Sequence, residues 1–198
     1  MDRLGRCKSW RKNCPIEVIL RIATENDAAG IAEIYDPIVR STPTSFEIDP
    51  PGAVEMARRI RETMPVYPWL ICEDRGRITG YAYAGRHKPR AAYQWAVETS
   101  VYIRPDFQRR GIGRGLYESL FRILTAQGYF TAYAGATLPN AGSARLHESC
   151  GFQTVGIYRN AGYKLGTWHD VIWWQRPLQA AMTAPGPIRS VDQVNTSG

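Results

Sequence analysis

From Glu17 to Ala23 the chain alternates apolar and polar residues closely enough to predict a first strand. Thr24, with Asp27 three positions on, has the form of a helix start, and a helix follows to about Arg40. Ser41 to Pro51 is rich in Ser, Thr and Pro and reads as a loop, followed by a helix over roughly Gly52 to Thr63. Two apolar runs, Trp69 to Glu73 and Arg77 to Gly85, close around Asp74-Arg75-Gly76 as a hairpin. Tyr93 to Ile103 is a long strand. Gly111 to Ala126 carries Leu116, Leu120, Ile123 and Leu124 at helical spacing. A strand from Tyr129 to Thr137, a helix from Asn140 to Ser149 ended by Gly151, and strands at Phe152 to Tyr158 and Trp168 to Trp174 complete the set.

The resulting order, β-α-α-β-β-β-α-β-α-β-β, predicts an α/β fold with a mixed sheet and helices on both faces. No repeat or interdomain linker interrupts it. Residues 17–178 form one domain in this reading. Residues 1–16, a basic arm, and 179–198, polar with Pro and Gly, are expected to be disordered.

Composition narrows the classes. At 198 residues and 44% hydrophobic content the chain suits a single globular domain. No apolar run approaches the ~20 residues that span a bilayer, and no secretory leader is visible, so no membrane is expected and the location is cytoplasmic. Cys7, Cys14, Cys72 and Cys150 show no metal-ligand spacing and are expected to be free thiols, with no metal. Net charge is +7, much of it in the first 21 residues. With no nucleic-acid-binding motif beside it, that arm reads as a solvated tail or as translation from an upstream start, and nucleic acid is not an expected partner.

The chemically richest stretch is Gln108-Arg109-Arg110-Gly111-Ile112-Gly113, between a strand and a long helix. Glycines at a helix mouth leave N–H groups pointing outward, the helix dipole favours an anion there, and Arg109 and Arg110 add charge. A pyrophosphate site is one reading; a glycine-softened turn with a solvated basic face is the other. A nucleotide triphosphatase loop is excluded by the missing Gly-Lys-Ser/Thr, and a dinucleotide loop by the missing third glycine.

This segment resembles the Gln/Arg-x-x-Gly-x-Gly segment of the GNAT acyl-CoA-dependent N-acetyltransferases. The likeness extends through Tyr93-Gln94-Trp95, Glu98, Val101-Tyr102-Ile103, Leu138-Pro139-Asn140, Leu146-His147-Glu148, Gly151-Phe152, Ala161-Gly162-Tyr163-Lys164 and Trp168-His169-Asp170-Val171, about residues 18–178. Together these resemble the phosphinothricin N-acetyltransferase branch. The resemblance implies the GNAT fold, with a central, mostly antiparallel sheet, acetyl-CoA as co-substrate, and a homodimer. The excess positive charge suits such an anionic cofactor.

It also implies roles. Glu98 takes the amine proton, directly or through water; a carboxylate flanked by Val97 and Val101 is partly desolvated, which raises its pKa. The strand splays here, so the main chain of Val101, Tyr102 and Ile103 serves acetyl-CoA, and Arg109, Arg110, Gly111, Ile112, Gly113 and Arg114 hold the pyrophosphate. Asn140, an N-cap by its position, and Ser143 attend the pantetheine. His147, two helical turns past Asn140 on the same face, is a proton donor for the leaving thiolate, an orienter, or a structural histidine. Phe46, Lys88, Arg90, Tyr93, Thr99 and Ser100 border the acceptor, with Lys88 and Arg90 suited to a carboxylate or an anionic side-chain head. After Phe46 this chain has Glu47-Ile48-Asp49, where the branch often has a basic or small residue. Phosphinothricin, methionine sulfoximine, methionine sulfone and ordinary amino acids all stay open as small amino-acid-like acceptors. So do protein N-termini or lysines, and a non-catalytic acyl-CoA-binding role.

Overall fold

The run Trp69-Leu70-Ile71-Cys72 has no polar face, and the computed structural model of the chain, which describes residues 3–6 and 18–195, shows both of its faces covered. Strands Arg3–Arg6 (β1), Val18–Ile22 (β2), Trp69–Asp74 (β3), Arg77–Arg86 (β4), Ala96–Ile103 (β5), Thr131–Thr137 (β6), Gln153–Lys164 (β7) and Thr167–Pro177 (β8) form one sheet in the order β1-β2-β3-β4-β5-β6-β8-β7. Helices Ala28–Ser41 (α1) and Gly52–Thr63 (α2) cover one face, and Ile112–Gln127 (α3) covers the other. The remaining helices are Ala141–Ser149 (α4) and the short Val191–Asn195 (α5).

Because side chains alternate along a strand, each buried strand feeds two cores. Leu70, Cys72, Ala82, Ala84 and Val97 meet Leu116, Tyr117, Leu120 and Leu124 of α3. Trp69, Ile71 and Tyr81 meet Ile31, Ile34 and Tyr35 of α1 and Met56 and Ile60 of α2. Leu116, Leu120 and Leu124 are fully buried, each contributing roughly 1.5–3 kcal/mol relative to exposure. The first turn follows the expected chemistry, although its first three residues, Glu25–Asp27, are 3-10: Asp27 accepts a 2.7 Å hydrogen bond from the Thr24 N–H.

One pairing departs from the antiparallel rule and creates the site. β5 pairs with β4 along its whole length, from Val97↔Arg86 to Ile103↔Gly80. It pairs with β6 in parallel only at Ala96, Val97 and Glu98. Beyond Glu98 the two strands part, and β6 continues against β8 as far as Thr137↔Val171.

Three expectations change. The Tyr93 to Ile103 strand starts at Ala96, because Ala91–Tyr93 forms a 3-10 turn. Part of the supposedly disordered arm, Arg3–Arg6, pairs with β2; the rest of it, including Cys7 and Cys14, lies outside the described residues, as do 196–198. The described part of the expected tail is strapped to the domain. Trp95 donates to the Gly186 carbonyl at 2.8 Å, Gln127 to the Arg189 carbonyl at 2.9 Å, and Val191 is 2% exposed. The fully buried Gln127 amide needs acceptors and helps pull this segment down, a demand that the segment's polar composition does not reveal.

Candidate functional site

Register places the Glu98 side chain. Glu98 pairs with Gly85, Ser100 with Tyr83 and Tyr102 with Tyr81, so these six share the α1/α2 face. A side chain at Gly85 would meet nothing within 4 Å, so the space across from Glu98 is open. Next to it lies a cavity of about 230 Å³, lined by Tyr35, Arg59, Thr63, Trp69, Tyr83 and Gly85 among others. That is below the ~300–1,000 Å³ usual for drug-sized ligands. Tyr83 lies opposite Ser100 across the ladder. Burial raises the Glu98 pKa, and nearby Lys88 pulls it back. The carboxylate accepts no hydrogen bond from a described side chain; the nearest partner, Nδ1 of His87, is 3.9 Å away.

The Phe46 loop is fixed from several directions. Lys164 is buried and donates to the Val39 and Ser45 carbonyls at 2.6 and 2.7 Å. Tyr35 donates to Glu47 at 2.8 Å, and Arg59 grips Glu47 through two hydrogen bonds at 2.8 and 2.9 Å. The Arg59 guanidinium, with Tyr35 behind it, holds the Glu47 carboxyl below its usual range. Glu47 thus serves to brace the loop beside the cavity. Phe46 itself is 39% exposed and rests on Gly162.

On the opposite face lies a buried chain of hydroxyls and an imidazole. Thr99 is 3% exposed and donates to the Tyr133 carbonyl at 3.2 Å, bridging the two strands where they part. It also meets the Tyr117 hydroxyl, which is 3.0 Å from Nε2 of His147. His147 is stacked on Trp174 with ring centroids 4.6 Å apart. Its Nδ1 is 2.8 Å from the Ser143 carbonyl, which can only accept, so Nδ1 carries the proton and Nε2 accepts from Tyr117. Burial keeps this imidazole below its usual range and neutral. Both ring nitrogens of His147 are therefore committed.

The cofactor-type features lie at the splay and just beyond it. Val101 and Ile103 turn their side chains into the α3 core, which leaves their main chain on the strand edge that β6 has vacated. Gly111, the N-cap of α3, is left-handed at φ 78°, and no side chain caps the helix. The first-turn N–H groups of Ile112, Gly113 and Arg114 are thus open to an anion. Arg109 and Arg110 are exposed, and Arg110 lies over the Phe107 ring at 4.8 Å. Arg114 faces Glu118 at 2.7 Å. Gly113 is buried, and a Cβ there would stand 3.0 Å from Leu146, so its small size serves α3–α4 packing as well. Asn140 caps α4, accepting from the Ser143 N–H at 3.0 Å.

A model of the acetyltransferase (GNAT) domain matches residues 20–173. The chain belongs to this family. It is 39% identical over 180 residues to the phosphinothricin N-acetyltransferase of Streptomyces viridochromogenes, covering 91% of this chain and 97% of that protein. To the L-methionine sulfoximine/L-methionine sulfone acetyltransferase of Salmonella typhimurium it is 34% identical over 164 residues, 80% of this chain and 94% of the relative. Its fold superposes with a TM-score of 0.81 and 34% identity on a GNAT phosphinothricin acetyltransferase from Sinorhizobium meliloti solved with AcCoA, covering 90% of this chain and 98% of that one. The chain is an acetyltransferase of the phosphinothricin and methionine sulfoximine branch.

The GNAT frame brings together Glu98, Ser100, Tyr83 and the cavity on one face, and Val101, Ile103 and the α3 N-terminus along the splay. It separates Thr99, assigned to the acceptor by resemblance, which turns to the α3 face beside Tyr117. Lys88 and Arg90 are exposed and outside the cavity wall, and Tyr93 is 44% exposed. Arg59, Tyr117 and His87 went unread as site residues. Arg59 looks like any helix-surface arginine and Tyr117 like a core aromatic until the register is known. His87 sat in a segment read for its cations. Among the described residues no group of His, Cys, Asp and Glu is arranged to hold a metal ion, and no helix is long and apolar enough to cross a membrane.

Proposed function

We propose that this enzyme moves the acetyl group of acetyl-CoA to the amine of a small amino acid or amino-acid analogue, of the class of phosphinothricin, methionine sulfoximine or methionine sulfone. The observation that carries this reading is the parting of β5 from β6 immediately after Glu98, with an uncapped helix N-terminus following the same strand. The α3 N–H groups and Arg109 and Arg110 hold the pyrophosphate. The vacated edge of Val101 to Ile103 pairs with the pantetheine and sets the thioester carbonyl beside Glu98. Asn140, whose oxygen is used as a cap, keeps its NH₂ for the same arm.

Glu98 takes the amine proton. Its burial supports this, since a raised pKa makes the carboxylate a stronger base while leaving it ionised near neutrality. His147 acts by orienting Tyr117. The small cavity on the Glu98 face favours a free amino acid over a peptide. The test is a panel of phosphinothricin, methionine sulfoximine, methionine sulfone, ordinary amino acids and peptides, followed by thiol release. A kcat/KM for free amino-acid analogues well above that for peptides is expected; a preference for peptides overturns the reading.

The active form is a homodimer joined through β7. That strand is a sheet edge exposing Val155, Tyr158 and Tyr163 at 56–58%, with Trp168 of β8 at 60%. Long apolar edges of this kind are covered in stable proteins. Light scattering should show a dimer that Trp168→Glu weakens. A monomeric wild type removes the claim.

A further inference from the structure

Acetylating an ammonium removes two protons from one nitrogen, the first to make it nucleophilic and the second as the amide forms. A lone carboxylate holds one. A second acceptor stands beside Glu98. His87, just past the end of β4, lays its ring on Tyr133, with centroids 4.1 Å apart and planes at 9°. Tyr133 is the β6 partner of Glu98, so this stack carries the imidazole to the carboxylate. Tyr93 and Trp173 stand edge-on to the ring at 6.0 and 6.3 Å. The His87 side chain is 10% exposed and that of Glu98 is 40% exposed, so the ring is clamped and the carboxylate is free to turn.

Nδ1 of His87 is buried and, among the described residues, has no hydrogen-bond partner. Buried polar atoms are nearly always paired. This one lies 3.9 Å from the Glu98 carboxylate, which itself accepts no hydrogen bond from a described side chain, and ~1 Å of side-chain movement brings the two into hydrogen-bond range.

We propose that His87 and Glu98 work as one proton-accepting pair, with His87 holding the carboxylate and taking the first amine proton on from it. This rests on the reading of Glu98 as the base. The N–H bond of the ammonium breaks and an O–H bond forms on Glu98. The proton passes to Nδ1 and the carboxylate is regenerated. It takes the second proton as the N–C bond to the acetyl group forms and the C–S bond breaks, its electron pair leaving on sulfur. Of the two protons, one ends on sulfur and one goes to solvent. The groups facing the pair suit this. Burial and Lys88 hold the imidazole below its usual range, so it rests neutral and ready to accept. The other titratable neighbours are the phenols Tyr93 and Tyr133. His87 acts through Glu98 and touches neither the amine nor the thioester.

The test is His87→Phe, which keeps the ring on Tyr133 and removes both nitrogens. Turnover should fall about 10- to 100-fold at neutral pH, less than the ~10²–10⁴ for loss of the base itself, with the acetyl-CoA KM unchanged. The acid limb of the kcat profile should drop from a two-proton to a one-proton slope. NMR titration of the histidines, three in the whole chain, adds a readout on intact protein. The His87 pKa should fall in Glu98→Gln as its negative partner is lost. A wild-type pH profile in His87→Phe, or a His87 titration unmoved by Glu98→Gln, overturns the pair. If Glu98→Gln is crippled and His87→Phe is not, only the pair fails. If Glu98→Gln keeps full activity, the reading of Glu98 as base fails first. Should His87→Phe not fold, the NMR comparison decides alone.

Discussion

His87 and His147 lie on opposite faces of the sheet, and both are stacked on an aromatic ring and held neutral by burial. They differ in what their nitrogens do. His147 donates to the Ser143 carbonyl and accepts from Tyr117, so every polar atom of that ring is spoken for. The His87 ring is equally fixed, but its Nδ1 is left open toward Glu98. Stacking positions an imidazole; the hydrogen bonds decide whether it is part of the scaffold or available for chemistry. His147 carries the family resemblance, yet the open nitrogen belongs to the histidine that no motif singled out.

The largest effect that can break this contrast is at Glu98. Glu98→Gln keeps the shape and removes the acceptor, so kcat should fall by about 10²–10⁴ at neutral pH, with acetyl-CoA affinity nearly unchanged. The defect should shrink as pH rises, because more of the amine is then already neutral. A pH–rate profile of both forms decides it. Retained activity moves the base to the other face, at His147, or to water.

The same distinction between open and committed groups applies to the two glycines of the α3 loop. Gly111 is left-handed and fronts the open N–H groups, so Gly111→Val should force the turn out of shape at a cost of about 1–3 kcal/mol. Calorimetry should read this as acetyl-CoA binding weakened roughly ten- to hundredfold. Gly113→Ala presses on Leu146 instead and should lower the melting temperature more than it lowers affinity.

His147→Phe sharpens the comparison from the scaffold side. It preserves the stack on Trp174 and leaves the buried Tyr117 hydroxyl without its acceptor, a loss of about 1–3 kcal/mol in stability. The folded-state pKa of His147 lies below its unfolded value, so its contribution is complete above pH ~6.5 and lost as pH falls through that region. Thermal melts on either side of that pH should therefore show a weaker acid dependence in the variant. The kcat acid limb should stay where it is.

Lys88→Met should have the smallest effect. Lys88 lowers both Glu98 and His87, so its removal raises both, and the acid limb should move to higher pH. The shift is modest because the lysine is exposed and solvent screens it. A rise in the amine KM without that shift would return Lys88 to the substrate-carboxylate role.

The element order from β2 to β8, the β3–β4 hairpin and the bounds of α2 were legible because their periodicity and turn residues are local signals. Glu98 was legible as the candidate base through its motif, Trp95-x-x-Glu98-x-x-Val101-Tyr102. What the sequence hides is which strands lie side by side. A period of two puts Glu98 and Ser100 on one face and Thr99 on the other; only the β4 register, which sets Glu98 and Ser100 against Gly85 and Tyr83, says that the cavity lies on the Glu98 face. His87 is invisible for the same reason, since its partner Tyr133 lies on a strand formed much later in the chain. The docking of the tail depends on the buried amide of Gln127 and the half-buried indole of Trp95, which no local pattern announces.

Gly162 lies far along the chain from Phe46, yet the Phe46 ring fills the place its side chain would take: a Cβ at 162 would stand 2.5 Å from that ring. Any larger residue there must push the aromatic and the loop that Lys164 ties down. If Phe46 borders the acceptor, as proposed, the acceptor range is open to tuning from a position that need never meet a substrate. A mutational library that samples only the cavity wall would miss this evolutionary lever, and one that pairs position 162 with position 46 would reach it.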